Sequence, residues 1–170
     1  MTVARITAAI AAVFAGVTLL AGCGTNASNL TASQYGDPIP AVTAKTITGT
    51  SATIPVPGKA TVMIFYSVGC GTCISITQHI ATIAKSHPTA EYVAVNIDPT
   101  EDVRSSKGFL DYIDSPAIIG INDTKATITR AYQVASVSTV VVLNPAGQIV
   151  LRGVEPPPDN ITKAVETATA

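Results

Sequence analysis

The chain has 170 residues, a formal net charge of −1 and only 12% charged residues. With no basic block it offers no surface for nucleic acid, and its length sets one folded domain beside an N-terminal export segment. Three cysteines and no tryptophan exclude a multi-disulfide framework, so thiol chemistry falls on very few positions.

Arg5 opens the chain as a short positive region, and residues 8–20 form an almost wholly apolar run of small and branched side chains. That run is short for a membrane span, which needs about 20 apolar residues, and fits the core of a signal peptide. Leu20-Ala21-Gly22-Cys23 follows directly and resembles a bacterial lipobox. The resemblance implies cleavage before Cys23 and lipid on its sulfur. It makes residues 1–22 a lipoprotein signal peptide and places the product at the bacterial cell membrane, anchored on the extracytoplasmic face. An ordinary secretory signal or an uncleaved anchor is the alternative. Residues 24–43 are rich in Gly, Thr, Asn, Ser and Pro, with Asp37 as the only charge. With Cys23 they read as a tether over 23–43, though Tyr35, Ile39 and Val42 could pack on the domain that follows.

Residues 45–48 and 52–56 flank Gly49-Thr50-Ser51, a hairpin signal. Pro55 and Pro57 confine the second arm to a sheet edge. Residues 61–66 form a continuous apolar run, the pattern of a central strand covered on both faces. Residues 70–86 carry Ile74, Thr77, Ile80, Ala81 and Ala84 on one helical face, and His87-Pro88 stops that helix. A second buried strand covers 92–97. Residues 98–102 turn into a helix whose buried side is Val103, Phe109, Leu110 and Ile113. A short strand over 117–121 leads to Asn122-Asp123, expected to cap a helix running to Tyr132. Strands over 139–143 and 148–152 are joined by Asn144-Pro145-Ala146-Gly147, a tight-turn composition. The last helix is expected to start at an Asp159 N-cap and to bury Ile161, Ala164 and Val165.

Cys70-Gly71-Thr72-Cys73 sits where the central strand gives way to its helix. A cysteine at a helix N-terminus meets unpaired backbone N–H groups and the positive end of the macrodipole, which favour its thiolate. Cys70 is therefore the expected nucleophile, with Gly69 and Gly71 permitting the turn. Cys73, one helical turn on, is the expected resolving thiol. A permanent staple or half of a zinc site are the other uses of this spacing. Zinc would require further ligands, and the only histidines, His79 and His87, fall further down the same helix and read as helix-face and helix-end residues. Met63 reads as core. Tyr66 is a candidate for bordering the dithiol.

The β-α-β-α-β-α-β-β-α order with CxxC after the first buried strand resembles the thioredoxin fold. It is most similar to membrane-tethered thioredoxin-like proteins of the TlpA, ResA and DsbE kind. The similarity rests on residues 62–73, residues 93–98, and Tyr132-Gln133-Val134-Ala135-Ser136-Val137-Ser138-Thr139 followed by 140–147. It implies an α/β domain over 44–170, with an N-terminal β-hairpin and a central mixed sheet flanked by helices. It implies a protein-disulfide oxidoreductase with Cys70 and Cys73 as catalytic residues, no metal, and no cofactor beyond their redox-active disulfide. Reduction is the direction the resemblance favours, and oxidation the other. Oxidised exported proteins are the implied clients, and a CcdA- or DsbD-type membrane protein the implied electron donor. Ser138, Thr139, Tyr66, Gly71 and Thr72 are the implied substrate-facing positions.

Four positions depart from the family pattern. Thr72 stands where thioredoxins often have proline, Gly69 replaces a tryptophan, and Ile64 replaces a buried acid. Ser138 replaces the cis-proline that faces the dithiol. A cis bond before a non-proline residue costs about 2.5–4 kcal/mol, so the bond is expected to be trans. Two other readings follow from these losses. Sco-type copper chaperones, also tethered thioredoxin-like proteins, carry a histidine near this position, and residues 96–99 resemble theirs. A non-catalytic thioredoxin-like binding module is the other.

Overall fold

The computed structural model describes the backbone of residues 30–31 and all of residues 38–170. Cys23 and the apolar N-terminal run lie outside the described residues. Among the described residues, eight strands and four helices follow in chain order: β1 (Leu30–Thr31), β2 (Val42–Lys45), β3 (Ser51–Ile54), β4 (Thr61–Tyr66), α1 (Gly71–Ser86), β5 (Glu91–Asn96), α2 (Val103–Ile113), β6 (Ile118–Asn122), α3 (Thr127–Ala131), β7 (Thr139–Leu143), β8 (Ile149–Val154) and α4 (Pro158–Thr169).

Six of the strands form one mixed sheet in the order β1-β8-β7-β4-β5-β6. β4 lies parallel to β5, and β5 to β6, whereas β7 runs antiparallel to β4 and β8. Every residue of β4 is buried, as its unbroken apolar run requires. Alternate side chains serve different faces. Val62, Ile64 and Tyr66 join a core closed by α1, α2 and α4. Met63 and Phe65 join a second core with Ile54 from the hairpin and with Ile128 and Tyr132 around α3. This is the thioredoxin-like α/β fold with its N-terminal hairpin.

Several boundaries differ from the sequence expectation, each for a physical reason. The hairpin arms are β2 and β3, pairing Val42 with Ile54 and Lys45 with Ser51, so the first arm starts before residue 45. Thr46, Thr48 and Thr50 turn their hydroxyls toward one another instead. Ile47 donates its N–H to the Gly120 carbonyl at 2.9 Å. A Cβ on Gly120 would stand 2.7 Å from Ile47 Cδ1 and 2.6 Å from Leu110 Cδ1, so glycine permits this approach. Part of the segment read as a tether over 23–43 packs on the domain, as the alternative allowed for Ile39 and Val42. Leu30 and Thr31 pair with Arg152 and Leu151, the Ile39 N–H donates to Gly147 O, and Ile39 and Val42 pack on the second core.

Val103 is 48% exposed, because it occupies the first position of α2 beside its Asp102 cap. Ser106 takes the buried place on that face with Phe109, Leu110 and Ile113. α3 is shorter than expected. Asp123 spends its carboxylate on the Thr127 and Thr129 N–H groups, and helical geometry begins only after Ala126, at φ 51°. Asp159 lies inside the first turn of α4, with Pro157 at the cap, since the proline run presets that entry.

Three buried tyrosines give the fold an alkaline limit. Burial pushes Tyr66 and Tyr92 up to about 12 from 10.0 and Tyr132 also upward. In the unfolded chain these phenols ionise near 10, while in the native state they keep their protons. The native state therefore binds more protons above that pH, and stability falls as pH rises. Their full contribution is present below pH 10 and is lost progressively through about 12. Urea midpoints measured across this range, with tyrosinate absorbance as the second probe, are expected to fall together; a flat midpoint would contradict the assignment.

Candidate functional site

The site forms where β4 ends and α1 begins. Tyr66 closes the strand, residues 67–69 turn, and the Cys70 N–H donates to Ser67 O at 3.2 Å. Cys70 is the N-cap of α1, and its Sγ accepts the Cys73 N–H at 3.2 Å. A sulfur here takes the place of the usual capping oxygen and faces the positive end of the helix. Cys70 and Cys73 are joined by a disulfide, with their Cα atoms 5.2 Å apart. Cys70 is partly exposed and Cys73 fully buried. Gly71 and Thr72 are exposed. A Cβ built on Gly69 or Gly71 would meet no heavy atom within 4 Å.

Ser138 lies directly opposite. Its bond to Val137 is trans, and its φ of 61° places it in the left-handed region, where a residue with a Cβ carries strain. The loop is held there by the Glu155 N–H, which donates to Ser138 O at 2.9 Å. The Ser138 side chain is 1% exposed, and Oγ sits 3.3 Å from Cys70 Sγ and 3.2 Å from Cys73 Sγ. Thr139 is beside it in sequence but turns away. It is buried, and its hydroxyl donates to Ser136 O at 2.7 Å. Tyr66 packs inward. Its ring is fully buried and stacked on Phe109 at 4.1 Å between centroids. Its Oη has no hydrogen-bond partner.

Sequence reasoning missed Glu101, read only as part of a turn. Its carboxylate accepts the Val68 N–H at 2.9 Å and Asn96 Nδ2–H at 2.6 Å. Asn96 also donates to Ser106 Oγ at 2.9 Å, and Ser106 in turn to Asn122 Oδ1. Asn122 Nδ2–H returns to Glu101 O. A ring of polar groups thus fixes the turn before Cys70 to the ends of β5 and β6. Asp98-Pro99-Thr100-Glu101 was the only local hint, and nothing in it points to Val68.

Beside Thr72, a groove of about 310 Å³ runs between α1 and the proline segment, lined by Ser75, Ile76, His79, Glu155 and Pro156. His79 Nε2 pairs with Pro158 O and Thr162 Oγ1, tying α1 to α4. His87 caps the end of α1, its N–H donating to Ile83 O. Neither histidine is near the sulfurs' hydrogen bonds. Among the described residues no group of three or more His, Cys, Asp or Glu side chains is placed to hold a metal ion. A copper site of the Sco kind would need a third ligand where Ser138 stands.

The fold is thioredoxin-like and carries a CxxC-spaced Cys70–Cys73 disulfide, an arrangement similar to that of thiol–disulfide oxidoreductases. The chain is 37% identical over 123 residues to a Streptomyces lividans protein described as mercury resistance operon ORF3, a match covering 69% of this chain and 65% of that one. The chain thus spans just under two thirds of that relative. It is 24% identical over 124 residues to sporulation thiol-disulfide oxidoreductase A of Bacillus subtilis, covering 69% of this chain and 75% of that one. In three dimensions it resembles the DsbF protein of Mycobacterium tuberculosis, solved in mixed oxidised and reduced forms. The TM-score is 0.68 at 22% identity, covering 75% of this chain and 95% of the other. No family model matches the sequence. No described helix is long and apolar enough to cross a membrane.

Proposed function

We propose that this protein is a lipid-anchored, extracytoplasmic thiol–disulfide oxidoreductase that reduces disulfides of exported proteins. Cys70 is the attacking thiolate and Cys73 the resolving thiol, and the Cys70–Cys73 disulfide is the only redox group required. The observation that carries this reading is the asymmetry of the pair. One sulfur caps a helix at the surface and the other is sealed beneath it, the arrangement that sequential exchange needs. In an oxidising compartment the disulfide persists unless electrons are supplied. A CcdA- or DsbD-type membrane donor is the partner that would reset it. Gly71, Thr72 and the groove beside them form the client-facing surface.

The test is the reduction potential of the pair, measured against a glutathione or dithiothreitol redox buffer, together with copper affinity of the reduced protein. A low potential without copper binding is the result expected of a reductase. A high potential would reverse the direction of electron flow, and tight copper binding would overturn the reading.

The anchor has its own test. Cys23→Ser is expected to abolish incorporation of labelled fatty acid and to release the domain from the membrane fraction or leave it unprocessed. The expectation comes from the lipobox ending the short apolar run. Undiminished labelling in the variant would refute it.

A further inference from the structure

The Ser138 hydroxyl has two polar neighbours within hydrogen-bond distance, and both are the sulfurs of the dithiol, at 3.3 and 3.2 Å. It is buried, and its own carbonyl is occupied by Glu155. No carboxylate fills the strand position behind Cys73, which is Ile64, fully buried and apolar. A buried hydroxyl at equal reach of two sulfurs, in a backbone conformation that disfavours side chains, has the geometry of a dedicated donor.

We infer that Ser138 is a catalytic residue that donates its O–H to whichever sulfur carries negative charge, first Cys70 and then Cys73. The inference rests on the dithiol reading proposed above and adds a residue to it. In the reduced protein the Cys70 proton is released to water, and the thiolate accepts O–H from Ser138 and N–H from Cys73. Its electron pair then forms a bond to one client sulfur. The other client sulfur leaves with the electrons of the broken client bond and takes a proton from water. Charge on Cys70 is now gone, and the hydroxyl is free to turn to Cys73. Cys73 loses its proton to water, and its thiolate, stabilised by the same O–H, attacks Cys70 Sγ. The second client sulfur leaves as thiolate and is protonated. Two electrons and, through water, two protons pass from the dithiol to the client, with no further reductant needed for this half of the cycle.

The titratable groups around the pair are few. Glu101, on the loop between β5 and α2, holds the turn before Cys70 through Val68 N–H, Glu155 and His79 line the groove beside Thr72, and the Tyr66 phenol is buried. None of them hydrogen-bonds to either sulfur, so a shift in Cys70 reactivity on removing the hydroxyl is attributable to Ser138.

The experiment is the pH dependence of alkylation of Cys70 in the reduced full chain, with the modified residue located by mass spectrometry. Wild type is compared with Ser138→Ala and Ser138→Gly. Hydrogen bonds to charged groups are strong enough that their loss lowers the thiolate fraction roughly tenfold to hundredfold at a pH below the thiol pKa. Both variants are expected to move the profile to higher pH by that extent. Alanine keeps the strained backbone and glycine relaxes it, so a role confined to loop geometry would separate the two. Superimposable profiles for all three proteins, or opposite shifts for Ala and Gly, would overturn the inference. A common shift in a protein that fails to reduce any client disulfide would support the inference and overturn the proposed function instead.

Discussion

Cys73→Ser is expected to turn the protein from a turnover catalyst into a trap. Cys70 remains at the helix N-terminus, partly exposed and flanked by glycines, so its attack on a client disulfide proceeds. The buried thiol that should release the client is gone, and serine oxygen cannot form the internal disulfide. Mixed disulfides through Cys70 are therefore expected to accumulate, while multiple-turnover exchange falls to background. Cys70→Ser is expected to trap far less, because Cys73 is fully buried and reaches no client. Non-reducing electrophoresis of the two variants, with clients identified from the trapped species, checks both halves. Equal trapping by the two variants, or equal alkylation rates for the two thiols in the reduced protein at neutral pH, would contradict the division of labour.

Ser138→Pro is expected to be costly rather than a repair toward the family pattern. Proline holds φ near −65°, whereas residue 138 sits at +61° after a trans bond. The ring cannot occupy that backbone, so the loop from Gln133 to Thr139 must rebuild or strain. A loss of more than about 1 kcal/mol of stability is expected, seen as a lowered urea midpoint, with weakened exchange because the loop no longer seats against the sulfurs. A variant as stable as the parent with faster exchange on a generic disulfide substrate would show that the loop re-forms around a cis bond, and would sink this expectation.

What the sequence discloses depends on whether a feature is local. β4 coincides with the apolar run at residues 61–66, because a strand covered on both faces needs no polar alternation. α1 ends at His87 as expected, since the following proline forbids continuation. The CxxC pair was legible from its residue type and its place after an apolar run, whereas Ser138 opposite it was pointed to only by the resemblance of residues 132–139 to the family's loop. The hairpin register was not, because three threonine hydroxyls and a contact between Ile47 and Gly120, far along the chain, decide it. Val103 was misplaced for a related reason: apolar periodicity says nothing of a first turn that projects beyond the layer it packs on. Glu101 was invisible altogether. Its role depends on Val68, 33 positions earlier, and no spacing rule joins a turn carboxylate to a distant backbone N–H. For Tyr66 the sequence left a dithiol-bordering and a packing role both open, because the stacking with Phe109 that buries it lies on another element.

If the dithiol acts on protein clients as proposed, the open space around Gly69 and Gly71 bears on which of them it can serve. A tryptophan beside the nucleophile would form a wall that a partner must fit; here the approach to Cys70 is bare backbone. Steric demand on the incoming molecule is low, so a disulfide displayed on the convex surface of a folded protein can be met as readily as one in a loose strand. Such a surface suits brief encounters with bulky partners over tight retention of any single peptide.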